Sequence, residues 1–323
     1  ERRRGSRHHE IHVGPAGEHI ETVRGTLERG LRCYLDGEVA RGTFAEFPER
    51  VFATTRDSVM LWLTHPAIDP YTKRGLLKAI AAQRWADITM AHSRKVAFGT
   101  AGPRQVAALT RVELEELRDR LFRAEILKGP NTINNVTLLL LTVGAGRSVA
   151  GEGKRVAITY DSRIAGKVFA DLVGAALLQG GSRIEVFDQS SPMPEMSFAV
   201  AKRQLDLGIL VSASHNPELF NGYKVSNRVG AQLDPDTRKR VEAAIYGGNG
   251  HEAVTFDHIA ELLQASIALE GGPQAYEGLG VGPLVAQYSA GRLDRVVVLS
   301  DHEAAPTSTS YEHADFHGPH TEQ

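Results

Sequence analysis

The sequence predicts an α/β protein in which helices pack on a parallel or mixed β-sheet. Three apolar runs in the middle of the chain, residues 156–160, 183–188 and 207–211, have the length and composition of buried strands. Helical segments over residues 166–178 and 194–203 lie between them. Alternating strands and helices with short connections favour this layered architecture, in which ligands bind at the carboxyl ends of the strands.

The segment before this unit is predicted to be a helical extension. Residues 70–85 form an amphipathic helix, because their apolar side chains fall on one stripe and a proline stands in the first turn. A loop over residues 96–104 and a charged helix over residues 113–124 follow. Residues 1–60 mix arginine, histidine and glycine without a clear period, so we expect a poorly defined N-terminal extension there.

After the third strand the connections become richer in glycine. The expected elements are a strand over residues 223–226, a helix over 235–246 capped by Asp234, helices over 256–267 and 283–289, and a strand over 295–299. The glycine-rich residues 247–250 mark a domain boundary. The predicted division is an extension over residues 1–60, a main domain over 61–246, a linker and the start of a second domain over 247–303, and a disordered tail over 304–323.

Composition and charge exclude several classes of function. The 323 residues include 37 Lys and Arg against 39 Asp and Glu, a net charge of −2, so no overall positive field attracts nucleic acid or anionic lipid. The longest apolar run, residues 136–143, is far shorter than the ~20 residues that cross a bilayer. The single cysteine, Cys33, cannot form an internal disulfide, which fits a reducing compartment. We expect a cytoplasmic protein without nucleic-acid or membrane partners, and the oligomeric state stays open.

The most informative pattern in the chain is V-S-A-S-H-N-P-E-L-F-N-G-Y-K-V, residues 211–225. Ser214 stands just past a predicted buried strand, which places it at the carboxyl edge of the sheet, exposed to the crevice. The hydrogen-bond donors suited to an anion are His215, Asn216 and Lys224, with Arg104 and Arg163 expected to converge from two other loops. Such a site suits phosphoryl transfer, in which positioning and charge neutralisation supply most of the catalysis.

Other catalytic patterns fit this sequence less well. A serine hydrolase requires glycines two residues before and after the nucleophile, where this chain has Ser212 and Asn216. Residues 144–154 resemble a phosphate-binding P-loop, but Ser148 replaces its first glycine and Arg155 replaces the hydroxyl residue that binds magnesium. A dinucleotide-binding fingerprint requires a third glycine where Val149 stands. We therefore expect residues 144–154 to be a flexible loop.

Three motifs together resemble the α-D-phosphohexomutases, the phosphoglucomutase and phosphomannomutase superfamily. They are F-G-T-A-G-P-R at residues 98–104, Y-D-S-R at 160–163, and S-A-S-H-N-P followed by N-G-Y-K within 212–224. They occur in the order of the family, and the resemblance covers residues 62–245, the first domain. It implies a three-layer, mixed-sheet α/β domain and the interconversion of hexose 1-phosphates and 6-phosphates through a phosphoserine.

The resemblance also implies roles for individual residues. The implied catalytic residues are Ser214, His215 and Lys224. Ser214 would carry the phosphoryl group, and Lys224 is a candidate for proton transfer or phosphate neutralisation. The residues implied to bind phosphate or substrate are Thr100, Arg104, Arg163 and Asn216. Mg²⁺ is the implied cofactor, bound through the phosphate on Ser214, with a hexose 1,6-bisphosphate as intermediate and activator. The expected partner is a phosphorylated hexose.

The sequence departs from the family beyond the first domain. The D-x-D-x-D-R metal loop, the G-E-x-S-G sugar loop and the R-x-S-G-T-E phosphate loop of the family are missing. Asp234 and Asp236 resemble the metal loop only superficially, and we interpret them as a helix cap and a solvated charge. Pro103 and Gln105 stand where many relatives have leucine and glycine. We therefore expect a C-terminally truncated mutase with impaired activity, of undetermined sugar preference; the alternative is a non-catalytic phosphosugar-binding module or a remnant.

Overall fold

The structure, a computed structural model, describes residues 16–99, 102–277, 281–290 and 295–299. The helices are α1 (Ala16–Ala40), α2 (Glu49–Thr64), α3 (Pro70–Ala81), α4 (Trp85–His92), α5 (Arg111–Arg120), α6 (Asn135–Ser148), α7 (Gly166–Gln179), α8 (Met193–Lys202), α9 (Pro235–Tyr246), α10 (Ala260–Ala268) and α11 (Pro283–Ser289). The strands are β1 (Arg104–Val106), β2 (Arg155–Tyr160), β3 (Arg183–Phe187), β4 (Leu207–Val211), β5 (Phe220–Asn227) and β6 (Val296–Leu299).

The six strands form one mixed sheet in the order β1-β5-β4-β2-β3-β6. The strands β4, β2, β3 and β6 are parallel, whereas β5 is antiparallel to both of its neighbours. Alternate residues of β2 enter two separate cores: Val156 and Ile158 pack with the α6 and α7 side, and Ala157 packs with Met196 and Val200 of α8. Helices on both faces complete three layers, which confirms the predicted α/β class.

The connections of the sheet create a crevice between β2 and β4. From β2 the chain passes through α7 to β3 on one side, and from β3 it passes through α8 to β4 on the other side of β2. The loops that follow β2 and β4 therefore diverge from two adjacent strand ends. This is the topological switch point at which open α/β sheets bind ligands.

Two helices, α1 and α2, occupy most of the segment that was expected to be poorly defined. The missed pattern is Leu27, Leu31 and Leu35, which recur every four residues on one face of α1 and are at most 1% exposed. The predicted limit between residues 60 and 61 falls inside α2, where Val59 and Trp62 are both buried. The division into domains stays a prediction.

The expectation of a flexible loop at residues 144–154 is wrong for residues 144–148, because α6 continues to Ser148. Gly144 faces α9, and a Cβ there would lie 2.3 Å from Cγ1 of Ile245. This glycine therefore permits close helix packing rather than flexibility.

The segment expected to begin a second domain contributes an edge strand to the same sheet. β6 pairs in parallel with β3, from Ile184 opposite Val296 to Phe187 opposite Leu299. The helix α11 packs on α7, where the buried Asp171 carboxylate accepts the backbone N–H groups of Leu284 and Val285, each at 2.9 Å. The predicted tail over residues 304–323 lies outside the described residues. No helix in the described ranges combines the length and the apolar character needed to span a membrane.

Candidate functional site

Ser214 lies in the exposed loop between β4 and β5, at the switch point of the sheet. Its φ is +59°, a left-handed conformation that residues with a Cβ adopt rarely. Its N–H donates to Oγ of the buried Ser212 at 2.9 Å, and the N–H of Asn216 donates to the carbonyl of Ala213 at 3.2 Å. These bonds hold a tight turn that presents Ser214 and the exposed His215 at the edge of the sheet.

Arg163 connects the loop after β2 to the Ser214 loop. Its guanidinium donates to the carbonyl oxygens of Ser214 (2.9 Å), Asn216 (2.5 Å), Pro217 (2.7 Å) and Phe220 (3.0 Å), and to Oδ2 of Asp161 (3.3 Å). A guanidinium has five N–H donors, so each of them has a protein acceptor here. The structure thus brings Arg163 to Ser214 as the sequence predicts, with its donors bound to the loop itself.

Lys224 lies on β5 opposite Leu210 and is only 9% exposed. Burial lowers the pKa of its ammonium, and the positive charges of Arg104 and Arg163 lower that pKa further, against the opposing effect of Asp161. Among the described residues, Lys224 has neither an ion pair nor a hydrogen bond through Nζ. The side chain is therefore a cation next to the site with a pKa shifted toward neutrality, which suits proton transfer.

Arg104 is brought beside β5 by two close backbone approaches. The strand β1 pairs Arg104 with Gly222, where a Cβ would lie 2.5 Å from the carbonyl oxygen of Ser212. Gly102 has a φ of +89°, and a Cβ there would lie 2.1 Å from the carbonyl oxygen of Tyr223. Within the described part of the chain, the half-buried Arg104 has no ion pair or hydrogen bond through its guanidinium. Thr100, predicted to bind phosphate or substrate, lies outside the described residues.

The residues near Ser214 do not fit Mg²⁺ by themselves. The described residues contain no cluster of three or more His, Cys, Asp or Glu that could hold a metal ion. Asp161 is paired with Arg163, and Asp234 accepts the N–H groups of Asp236 and Thr237 at the start of α9. The interpretation of Asp234 as a helix cap is confirmed. Magnesium requires six oxygen ligands in near-octahedral geometry, of which a phosphate on Ser214 would supply a minority.

Two cavities lie near the sheet and the helical extension. A crevice of ≈ 390 Å³ opens beyond β2 and β3 and is bordered by Asp161, Arg163 and Asp188. A larger, mainly apolar cavity of ≈ 700 Å³ lies between helices that include α2, α4, α6 and α9, and is bordered by Trp62 and His92. Ser214 borders neither cavity, and it is exposed at the edge of the sheet.

Two residues of the site escaped sequence reasoning about roles. Asp161 accepts both the backbone N–H and the Nε–H of Arg163, and Ser212 accepts the N–H of Ser214. Each belongs to one of the family-like motifs and stands two residues before the side chain that was assigned a role there. The signal in the sequence is this spacing, because Asp and Ser side chains often accept a hydrogen bond from the backbone N–H two residues further on.

Comparisons with known proteins agree with this architecture. Residues 119–249 match the family profile described as "Phosphoglucomutase/phosphomannomutase, alpha/beta/alpha domain I". A phosphoglucomutase from Staphylococcus haemolyticus is 32% identical over 172 residues, 53% of this chain and 28% of the relative. A probable phosphoglucosamine mutase from Methanosphaera stadtmanae is 33% identical over 98 residues, 30% of this chain and 22% of the relative.

Among solved structures, a putative phosphomannomutase from Thermus thermophilus aligns with 65% of this chain and 46% of its own, at 21% identity and a TM-score of 0.39. The chain spans less than a third of the length of the two curated relatives. The profile match covers β2, β3, β4 and β5 and the loops that carry Arg163 and Ser214. Residues 119–249 thus match domain I of the phosphoglucomutase/phosphomannomutase family, and the chain is similar to phosphohexomutases over part of their length.

Proposed function

We propose that this chain carries the phosphoryl-transfer serine of a phosphohexomutase, with Ser214 as the carrier. The observation that supports the proposal is the exposed Ser214 at the switch point, together with two cations on the neighbouring strands β1 and β5, Arg104 and Lys224, which have no partners among the described residues. Cations aimed at a phosphoryl group stabilise the charge that develops during transfer. The substrate class is a phosphorylated hexose.

The proposed reaction consists of one transfer step and its reverse. A sugar hydroxyl of a hexose monophosphate forms a bond to phosphorus as the bond between phosphorus and Oγ of Ser214 breaks, which gives a hexose bisphosphate. The sugar hydroxyl loses one proton and Ser214 Oγ gains one, so a single group that accepts and returns a proton balances the step. The bisphosphate then returns its other phosphoryl group to Ser214 by the reverse route.

Lys224 is the group we assign to this proton. A lysine acts as a base only when its pKa is depressed, and burial together with Arg104 and Arg163 depresses it here. A bound phosphate dianion raises the pKa of Lys224, and the positive charges of the neighbouring arginines offset part of that increase. Arg104 is then the cation left to bind the transferring phosphoryl group.

Mg²⁺, which the family resemblance implies, has no step in this proposal. When bound, it would neutralise charge on the transferring phosphoryl group. The described residues do not form a complete site for it. We therefore assign to this part of the chain the carrier, the proton transfer and the phosphate contacts alone.

The proposal is tested by phosphorylation with a hexose 1,6-bisphosphate. We expect incubation with glucose 1,6-bisphosphate to add one phosphate, mapped by peptide mass spectrometry to Ser214, and Ser214→Ala to abolish it. Ser162→Ala is the matched control, because Ser162 is an exposed serine on the neighbouring loop. Phosphate on Ser212 or Ser226 instead would contradict the assignment, and so would an unmodified chain.

A non-catalytic phosphosugar-binding module is the second candidate. Arg104 and Lys224, which have no partners among the described residues, are suited to bind phosphate without any transfer step. Calorimetry with glucose 1-phosphate distinguishes the two candidates. Binding that depends on Arg104 and Lys224, without any transfer of phosphate to Ser214, would support the binding module.

A further inference from the structure

We propose that Arg163 is a positioning residue that sets the conformation of the Ser214 loop before any ligand binds. The inference rests on the proposed function of Ser214 as phosphoryl carrier. It gives Arg163 a role different from the anion contact that the sequence predicts.

The hydrogen bonds of Arg163 are directed at one short segment. Four of its five donors bind carbonyl oxygens of Ser214, Asn216, Pro217 and Phe220, and the side chain is only 13% exposed. A planar guanidinium with a fixed fork of donors holds several acceptors in a defined arrangement. The loop is therefore wrapped around this one side chain.

A direct contact between Arg163 and a phosphate would break this arrangement. Because every N–H of the guanidinium already has an acceptor, the side chain must release loop carbonyls before it can bind an anion. Arg104 and Lys224 have no such bonds in the described part of the chain. Arg104, to which the proposed function assigns the phosphoryl group, is therefore available for the phosphate, and Arg163 remains with the loop.

Two further contacts connect Arg163 to the conformation of Ser214. Asp161, at the end of β2, accepts the Nε–H of Arg163 and orients the guanidinium toward the loop. The Oγ of Ser212 fixes the N–H of Ser214, while Arg163 fixes its carbonyl. A serine at a φ of +59° is disfavoured without such restraints, and here both ends of its backbone are restrained.

Arg111 offers a matched control for charge on the same loop. Its guanidinium reaches Oε1 of Glu218 at 3.2 Å, but the two side chains are 73% and 58% exposed. A solvent-exposed ion pair of this kind contributes little. Arg111→Lys and Arg163→Lys make the same chemical change at two arginines that contact the Ser214 loop. Only Arg163→Lys removes hydrogen-bond donors to the backbone of that loop.

The first experiment measures the loop without any activity. We expect Arg163→Lys to speed amide hydrogen exchange in a peptide covering residues 212–220 by about tenfold or more, with Arg111→Lys unchanged. Asp161→Asn is a second variant that keeps the arginine and loosens the loop in the same direction. Circular dichroism checks that each variant is folded. Unchanged exchange in Arg163→Lys and Asp161→Asn would overturn the proposal.

The second experiment separates positioning from anion binding. Arg163→Lys keeps the positive charge, so we expect its affinity for inorganic phosphate to stay within about twofold of the parent chain. The rate of Ser214 phosphorylation by glucose 1,6-bisphosphate should fall by about tenfold or more, because a displaced nucleophile reacts slowly. Weakened phosphate binding with an unchanged rate would overturn the proposal. If the parent chain is not phosphorylated at all, the proposed function fails, and the exchange measurement still decides the role of Arg163.

Discussion

A buried carboxylate, Asp171, makes the stability of this fold depend on pH in an unusual direction. The side chain lies on α7, is only 4% exposed and accepts hydrogen bonds from the backbone of Leu284 and Val285 and from the hydroxyl of Tyr276. Burial raises its pKa to about 6, although these hydrogen bonds act in the opposite direction. The group therefore joins the C-terminal helix α11 to the central layer and titrates within the accessible pH range.

The sign of the effect follows from the raised pKa. Between about pH 4 and pH 6 the folded chain holds a proton on Asp171 that the unfolded chain has lost, so stability falls as pH rises through this window. The pKa moves from 3.8 to about 6 on folding. At ~1.4 kcal/mol for each pKa unit, this corresponds to about 3 kcal/mol of stability that is present below pH 4 and lost above pH 6.

The prediction is tested by urea unfolding of the parent chain and of Asp171→Asn between pH 4 and pH 7.5. Other carboxylates titrate in the same window, so the quantity of interest is the difference between the two chains. We expect the stability of Asp171→Asn relative to the parent to rise by about 2–3 kcal/mol across this range. Asp236→Asn, at an exposed position in the first turn of α9, should show no such change. Parallel pH profiles for the parent and Asp171→Asn would refute the reasoning.

Three other predictions concern packing and the site. Leu31→Ala in α1, at a fully buried position, should lower the free energy of unfolding in urea by about 3–5 kcal/mol. Leu61→Ala, at a residue that is 49% exposed, should lower the free energy of unfolding by less than about 1 kcal/mol. Similar losses of stability in Leu31→Ala and Leu61→Ala would show that α1 does not pack as described. Gly144→Ala should destabilise α6 by about 1–3 kcal/mol because its Cβ meets a neighbouring helix. Gly146→Ala, where a Cβ meets nothing within 4 Å, should raise the free energy of unfolding by about 0.5–1 kcal/mol in the same urea assay. Changes of the same sign in Gly144→Ala and Gly146→Ala would contradict the close packing of α6 on α9. Lys224→Arg keeps the positive charge but removes a group that can lose its proton. Transfer of the phosphoryl group from Ser214 to glucose 1-phosphate should therefore slow by about 10²-fold, with the affinity for phosphate retained. A normal transfer rate in a quench-flow measurement would exclude Lys224 as the base.

Local sequence patterns were sufficient for much of the central fold. The strand over residues 207–211 and the helices over 235–246 and 283–289 have the predicted limits, because an apolar run, a capping Asp and an initial Pro act within a few residues. The helix α1 also has a local pattern, the apolar residues Leu27, Leu31 and Leu35. The prediction of an irregular segment over residues 1–60 missed it. The C-terminal limit of α6 could not be predicted in this way. Gly144 and Gly146 suggest a loop by composition, and only the packing of α9 against α6 explains why a glycine stands at position 144.

For the site, the sequence by itself determined which residues stand at strand ends and in which order. Apolar runs and the motifs that follow them place Ser214 three residues beyond β4 and Arg163 three residues beyond β2. Tertiary structure alone decided what Arg163 binds, because its carbonyl acceptors lie 51 to 57 residues further along the chain. It also decided the lowered pKa of Lys224, since desolvation and the charges of Arg104 and Arg163 arise only when three separate strands meet. Hydrogen bonding and burial are properties of atoms brought together by packing, whereas strand ends and helix caps are properties of a few consecutive residues.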